Sequence, residues 1–122
     1  MKDMLAALQA FWSGFGMAAY LAGQVPPGAP LPYVTYEAQS GAFGQAVRCM
    51  GTGWFTGEGA NRARADFLAA VEARVPEGGL RLPLPGGMLV LERGGGGFLT
   101  LAEEESTPRV YGGRALLAAR RY

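Results

Sequence analysis

Histidine is absent from this 122-residue chain, and cysteine occurs once, at Cys49. The first absence removes the commonest general base and the commonest metal ligand together. No Ser-His-Asp or Cys-His nucleophile can be assembled without it. A single cysteine can neither close an intramolecular disulfide nor build a thiolate metal site alone. Cys49 stands in an apolar, strand-like run, which predicts a small core residue rather than a nucleophile. Charge is also scarce. Charged residues make up 17% of the chain and the net charge is +1, so no global attraction to nucleic acid or anionic membrane is expected. The glycines and prolines follow no fixed period, which excludes collagen-like and solenoid architectures.

What is present describes a folded chain. The hydrophobic fraction is 49%, far from the composition of a disordered tail. The length suits one domain with one modest core. With 20 glycines and 8 prolines, many turns are expected. The uncharged run from Met4 to Gly23 has the length of a membrane span. Gln9, Ser13, Gly14 and Gly16 interrupt it, however, and Lys2 is followed by Asp3. Neither a signal peptide nor a membrane anchor is therefore expected.

Apolar periodicity locates the elements. Met4, Leu5, Leu8, Phe11, Trp12 and Phe15 recur at helical spacing, which predicts a helix over Lys2–Ser13 stopped by Gly14 and Gly16. Met17 to Leu21 suits a short extended segment. The prolines between Gln24 and Leu31 make a connector. Tyr33 to Gln39 alternates as a strand, with Val34, Tyr36 and Ala38 on one face. A second strand is predicted over Val47–Thr56, where Gly51 and Gly53 suggest a bulge or a close backbone approach. Asn61 to Val75 is the clearest helix, with Asn61 as N-cap and a stripe of Ala63, Phe67, Leu68, Val71 and Val75. Leu80 to Leu84 can be an edge strand at best because Pro83 lacks an N–H. Pro85-Gly86-Gly87 is a turn, and Met88 to Arg93 is a strand. Gly94 to Pro108 is expected to be a loop. For Arg109 to Ala119, Val110 and Tyr111 favour a strand, whereas ALLAARRY has helix propensity. The sum is an α+β fold: a small, mainly antiparallel sheet with two helices packed on one face.

The motifs are weak as chemistry. SGAFGQ, residues 40–45, has phosphate-loop glycines but lacks the following Lys and Ser or Thr, and its flanks are strands. It is expected to be a hairpin turn with Phe43 at its tip. The Gly94–Gly97 tract is expected to act as a connector rather than a phosphate loop. Phe98, Leu99 and Leu101 lie between that tract and an acidic run, a pattern that favours ordering against a neighbour. Glu103, Glu104 and Glu105 could hold a divalent cation, but adjacent carboxylates on a loop more often face water. No metal, cofactor or catalytic set is expected. Phe43, Phe98, Leu99, Leu101 and Glu103 to Glu105 are the candidate subunit or partner contacts.

The order of segments carries a resemblance. Phe15-Gly16, Tyr20, Val25-Pro26 and Pro32-Tyr33-Val34-Thr35-Tyr36-Glu37 follow one another as in the tail completion, or tail terminator, proteins of long-tailed phages and prophages. The chain is most similar to the small minor capsid proteins of prophages in Gram-positive bacteria. Trp54, the helix from Asn61, Gly78-Gly79, Gly86-Gly87, Arg93-Gly94, Arg109 and Tyr111 continue the likeness over nearly the whole chain. It departs at the 94–97 glycine tract and the alanine-rich end. The resemblance implies a strand, not a helix, for Arg109 to Ala119.

It further implies a non-enzymatic structural protein. Such a chain would cap the growing tail tube as a homo-oligomeric ring of six subunits and stop polymerisation. Its partners would be itself, the tail tube protein and the head-tail connector protein, with DNA passing through the lumen. Its place would be the tail-head junction of the virion, after assembly in the bacterial cytoplasm. Two alternatives stand beside this reading: a head-closure or neck connector protein, and a small-ligand-binding module.

Overall fold

The computed structural model describes residues 2–39, 45–94, 97–104 and 109–122. Two helices, α1 (Lys2–Ser13) and α2 (Ala60–Arg74), accompany seven strands: β1 (Ala18–Leu21), β2 (Tyr33–Ala38), β3 (Val47–Thr56), β4 (Leu80–Leu84), β5 (Gly87–Arg93), β6 (Leu99–Glu104) and β7 (Val110–Arg121). The sheet runs β1-β2-β3-β7-β5-β4, with β6 also paired to β7. Only β1 and β2 are parallel; the remaining pairs are antiparallel. This is the expected α+β class.

The period-2 alternation of the strands decides which face is covered. Val34 and Tyr36 of β2, Cys49 and Phe55 of β3, Ala115, Leu117 and Ala119 of β7, and Leu89 and Leu91 of β5 are buried on one side. Both helices pack there. α1 buries Met4, Leu8, Phe11 and Trp12, one stripe at helical spacing. α2 buries Phe67 and Val71, while Arg62, Asp66, Glu72 and Arg74 face water. α2 lies over β3 and β7, whereas α1 touches β1 and β2 at one sheet edge and β4 at the other. The sheet therefore curls around α1, which closes the gap between its edges.

Three local expectations need correction. Asn61 is not the N-cap of α2. That place belongs to Gly59, whose φ of 82° is left-handed, a conformation glycine adopts without strain. Asn61 lies in the first turn and accepts a 2.8 Å hydrogen bond from Arg64. Second, Gly51 and Gly53 mark neither a bulge nor a backbone approach. β3 pairs without interruption, and the groups pressed against these glycines are the rings of Trp12 and Phe67.

The third correction concerns Gly94 to Pro108, which contains β6 rather than being loop throughout. β5 places Arg93 opposite Leu117, and β6 places Leu99 opposite Ala115. Two residues of advance on β7 thus match six on the other side, an offset of four between β5 and β6 along their shared partner. Leu116 marks the junction: its C=O accepts from the Gly94 N–H and its N–H donates to the Phe98 C=O, both at 2.8 Å. An even insertion preserves the pleat. Leu99 and Leu101 consequently stand on the same face as Leu89 and Leu91.

Two polar contacts tie the chain ends and the second helix to the sheet. The Asp3 carboxylate accepts the Met4 N–H at 2.9 Å and the Arg121 guanidinium at 2.6 Å. Burial pushes this carboxyl up, but the Met4 N–H and Arg121 outweigh it and hold the pKa below the usual value. A lowered folded pKa adds stability above the usual carboxylate range and loses it as the pH falls through the lowered value. Asp3→Asn is therefore expected to flatten part of the acid limb in a series of urea melts against pH. An acid limb identical to wild type would contradict the assignment.

Arg93 makes the second tie. Its Nε donates to the Val75 C=O at 2.8 Å and its Nη2 to the Glu72 C=O at 3.2 Å, satisfying carbonyls at the end of α2. Its guanidinium also lies 4.9 Å from the centre of the Phe98 ring. Arg93→Ala is expected to cost about 1–2 kcal/mol in a denaturant melt, and Arg93→Lys to recover only part of it. Full recovery by lysine would show that charge alone, not the planar fork, makes the contact.

Candidate interaction surfaces

The residues singled out in the sequence separate into three groups. Phe43 and Glu105 lie outside the described residues. Phe98 and Leu99 are half-buried and pack against the core, so they are not the free apolar cluster the sequence suggested. Leu101 is the exposed member, with 65% of its surface open. Glu103 and Glu104 close β6, opposite Tyr111 and Val110. The structure thus gathers four of the expected contacts onto one strand, with one large apolar side chain facing water.

The motif residues take scaffold positions. Gly16 turns the chain after α1. Phe15 joins Phe11 and Phe67 in edge-to-face contacts at 5.4 and 5.5 Å, where the quadrupoles of the rings favour that geometry. Tyr20 and Tyr33 form an edge-to-face pair at 5.6 Å. Tyr36 is buried and donates its hydroxyl proton to Gln9 Oε1 at 2.5 Å, while Gln9 Nε2 donates to the Ala19 C=O at 3.0 Å. Trp54 donates its indole N–H to Thr35 at 2.9 Å. Cys49 is buried, and burial pushes its thiol up to about 12. It is therefore protonated and inert near neutrality.

Sequence reasoning missed the far face of the sheet. Registers place Tyr33, Met50, Trp54, Leu116, Val90 and Met88 there, on the side opposite both helices. All but Met88 are half-buried, and Met88 and Tyr122 are open to solvent. Arg48, Arg81, Arg114 and Arg120 share the face with Glu37 and Glu92. Arg120 pairs with Glu92 at 3.6 Å, and Arg114 donates to Thr52 at 3.2 Å. A signal was available: Met88-Leu89-Val90-Leu91 is apolar on both faces of its strand, which a half-solvated sheet does not require.

Open grooves mark this scaffold among the described residues. One of about 380 Å³ lies between α1 and β1, lined by Leu5, Ala6, Gln9, Ala19 and Tyr20 among others. Another of about 480 Å³ lies on the far face against Arg81, Met88, Val90, Glu92 and Tyr122. Among the described residues, no group of three or more His, Cys, Asp or Glu is placed to hold a metal ion, and no helix is long and apolar enough to cross a membrane. Comparison of the chain with protein-family models, with characterised proteins and with solved structures finds no match.

Proposed function

We propose that this chain is a non-enzymatic phage structural protein, a tail terminator that caps the tail tube as a ring, ends its polymerisation and joins it to the head connector. The observation that carries the reading is the far face of the sheet, against which no helix packs. It interleaves aromatic and aliphatic side chains with arginines, a composition typical of protein interfaces, and neither helix covers it. The order of the Phe15-Gly16, Tyr20, Val25-Pro26 and Pro32 to Glu37 motifs supports the specific role. In a head-to-tail ring each subunit needs two different complementary patches. The far face and the β6 strand with its exposed Leu101 are the two candidates.

On this reading the chain works at the tail-head junction of a virion, and DNA meets it only in passing through the ring. The test uses tube subunits from the same prophage, polymerised with and without the purified chain. Added chain is expected to shorten the tubes as its ratio to tube subunit rises. Unchanged tube lengths combined with binding to the connector would favour the neck-protein alternative instead.

A further inference from the structure

The three outer strands treat their exposed backbone differently. β1 has its outward acceptors taken: the Ala19 C=O by Gln9, and the Leu21 C=O by the Gln24 N–H at 2.9 Å. β4 carries Pro83. The hydrogen bonds between Met88 and Tyr122 turn the polar groups of Met88 toward β7, so by alternation Leu89 and Leu91 address β4 through Leu82 and Leu80. Pro83 therefore stands with its missing N–H at the open edge. Both are known ways of blunting an edge.

β6 has neither device. Its pairing with β7 begins where the Phe98 C=O accepts from Leu116. Alternation then turns Thr100 and Ala102 toward β7 and leaves the N–H and C=O groups of Leu99, Leu101 and Glu103 facing outward. Among the described residues no strand covers this edge, and Leu101 on it is the most exposed large apolar side chain.

We propose that the outer edge of β6 is a strand-addition site whose occupant is the β6 edge of a second copy of this chain, antiparallel about a two-fold axis at Leu101. Two observations select this occupant. Of the three outer strands described, β6 alone has neither its acceptors taken nor a proline at the edge, so edge pairing between copies favours like with like, the condition for an isologous contact. The acidic end of the strand selects the direction. Parallel pairing in register would set Glu103 and Glu104 against their own copies, a destabilising arrangement of like charges. The antiparallel register centred on Leu101 sets Glu103 opposite Leu99 and covers each exposed leucine with the other. This pairing concerns the isolated chain and needs no tube partner; it occupies the same β6 strand that the ring reading uses, so a subunit entering a ring would have to release it.

Sedimentation of the purified full chain is expected to give twice the chain mass. Leu101→Lys places two cations face to face and is expected to give a monomer with an unchanged far-ultraviolet circular dichroism spectrum, since the side chain is exposed and the Leu101 backbone does not bond to β7; its melting temperature is expected to lose the concentration dependence that a dimer has. Oxidised Leu101→Cys is expected to cross-link to a dimer, because residues directly opposite have Cα atoms about 5.5 Å apart, within disulfide reach. Oxidised Ala102→Cys is expected to stay largely unlinked, its own copy lying a diagonal of about 7–8 Å away. The buried Cys49 does not compete. A monomeric wild type overturns the proposal, including the case in which only a strand of another protein fills the edge. So does a dimer that Leu101→Lys leaves intact, or one that cross-links through residue 102 rather than 101.

Discussion

Replacing Trp12 by alanine is expected to lower the unfolding free energy by about 3–5 kcal/mol, the largest loss of any single truncation in this chain. Trp12 is fully buried and is the largest side chain of the core. It meets Phe11 edge-to-face at 4.8 Å and Phe15 at 6.1 Å, and its ring lies against Gly51 in the middle of β3. One side chain thus links α1 to the sheet and, through Phe15, to Phe67 of α2. The cavity cannot close easily, because backbone on the sheet side forms its floor. α1 also spans both sheet edges, so loosening it loosens the closure of the curl. Chemical denaturation followed by far-ultraviolet circular dichroism measures the loss. A change below about 1 kcal/mol would mean that α1 is not docked through this ring.

The second large effect has a sign that propensity alone gets wrong. Alanine in place of a strand glycine normally stabilises by roughly 0.5–1 kcal/mol, because glycine loses more backbone freedom on folding. Gly51→Ala is expected to destabilise instead, by about 1–3 kcal/mol, since the added methyl would overlap the Trp12 ring. That ring has no solvent side into which to move. The same change made in a Trp12→Ala background is expected to be neutral or stabilising, which makes the coupling between the two sites large and opposite in sign to simple addition. Equal penalties in both backgrounds would show that Gly51 is required for its own conformation and not for the ring.

These two residues also show what the sequence could reveal. The helical spacing of Met4, Leu8, Phe11 and Trp12 is local, so α1 was legible to its ends. β2 and β3 were legible for the same reason. That Gly51 and Gly53 receive aromatic rings was not, because Phe67 is fourteen residues beyond Gly53 and Trp12 arrives from before both. β6 was hidden by its neighbours. Four glycines before it and three glutamates at its end pointed to a loop, and the ladder that makes it a strand comes from β7. β7 itself contains a stretch of helix-forming residues. Burying Ala115, Leu117 and Ala119 at alternate positions, between β3 on one side and β5 and β6 on the other, overrides that propensity. The far face was legible in part, in the doubly apolar Met88–Leu91 run. Its arginines come from three strands and could be brought together only by knowing the register.

The central claim, that the chain ends a tail tube by assembling on it, is tested most directly by electron microscopy of tubes polymerised with the purified chain. The account predicts a ring of added density at one end of each tube and none along its length. Density distributed along the walls, or bare tubes beside free chain, would contradict it.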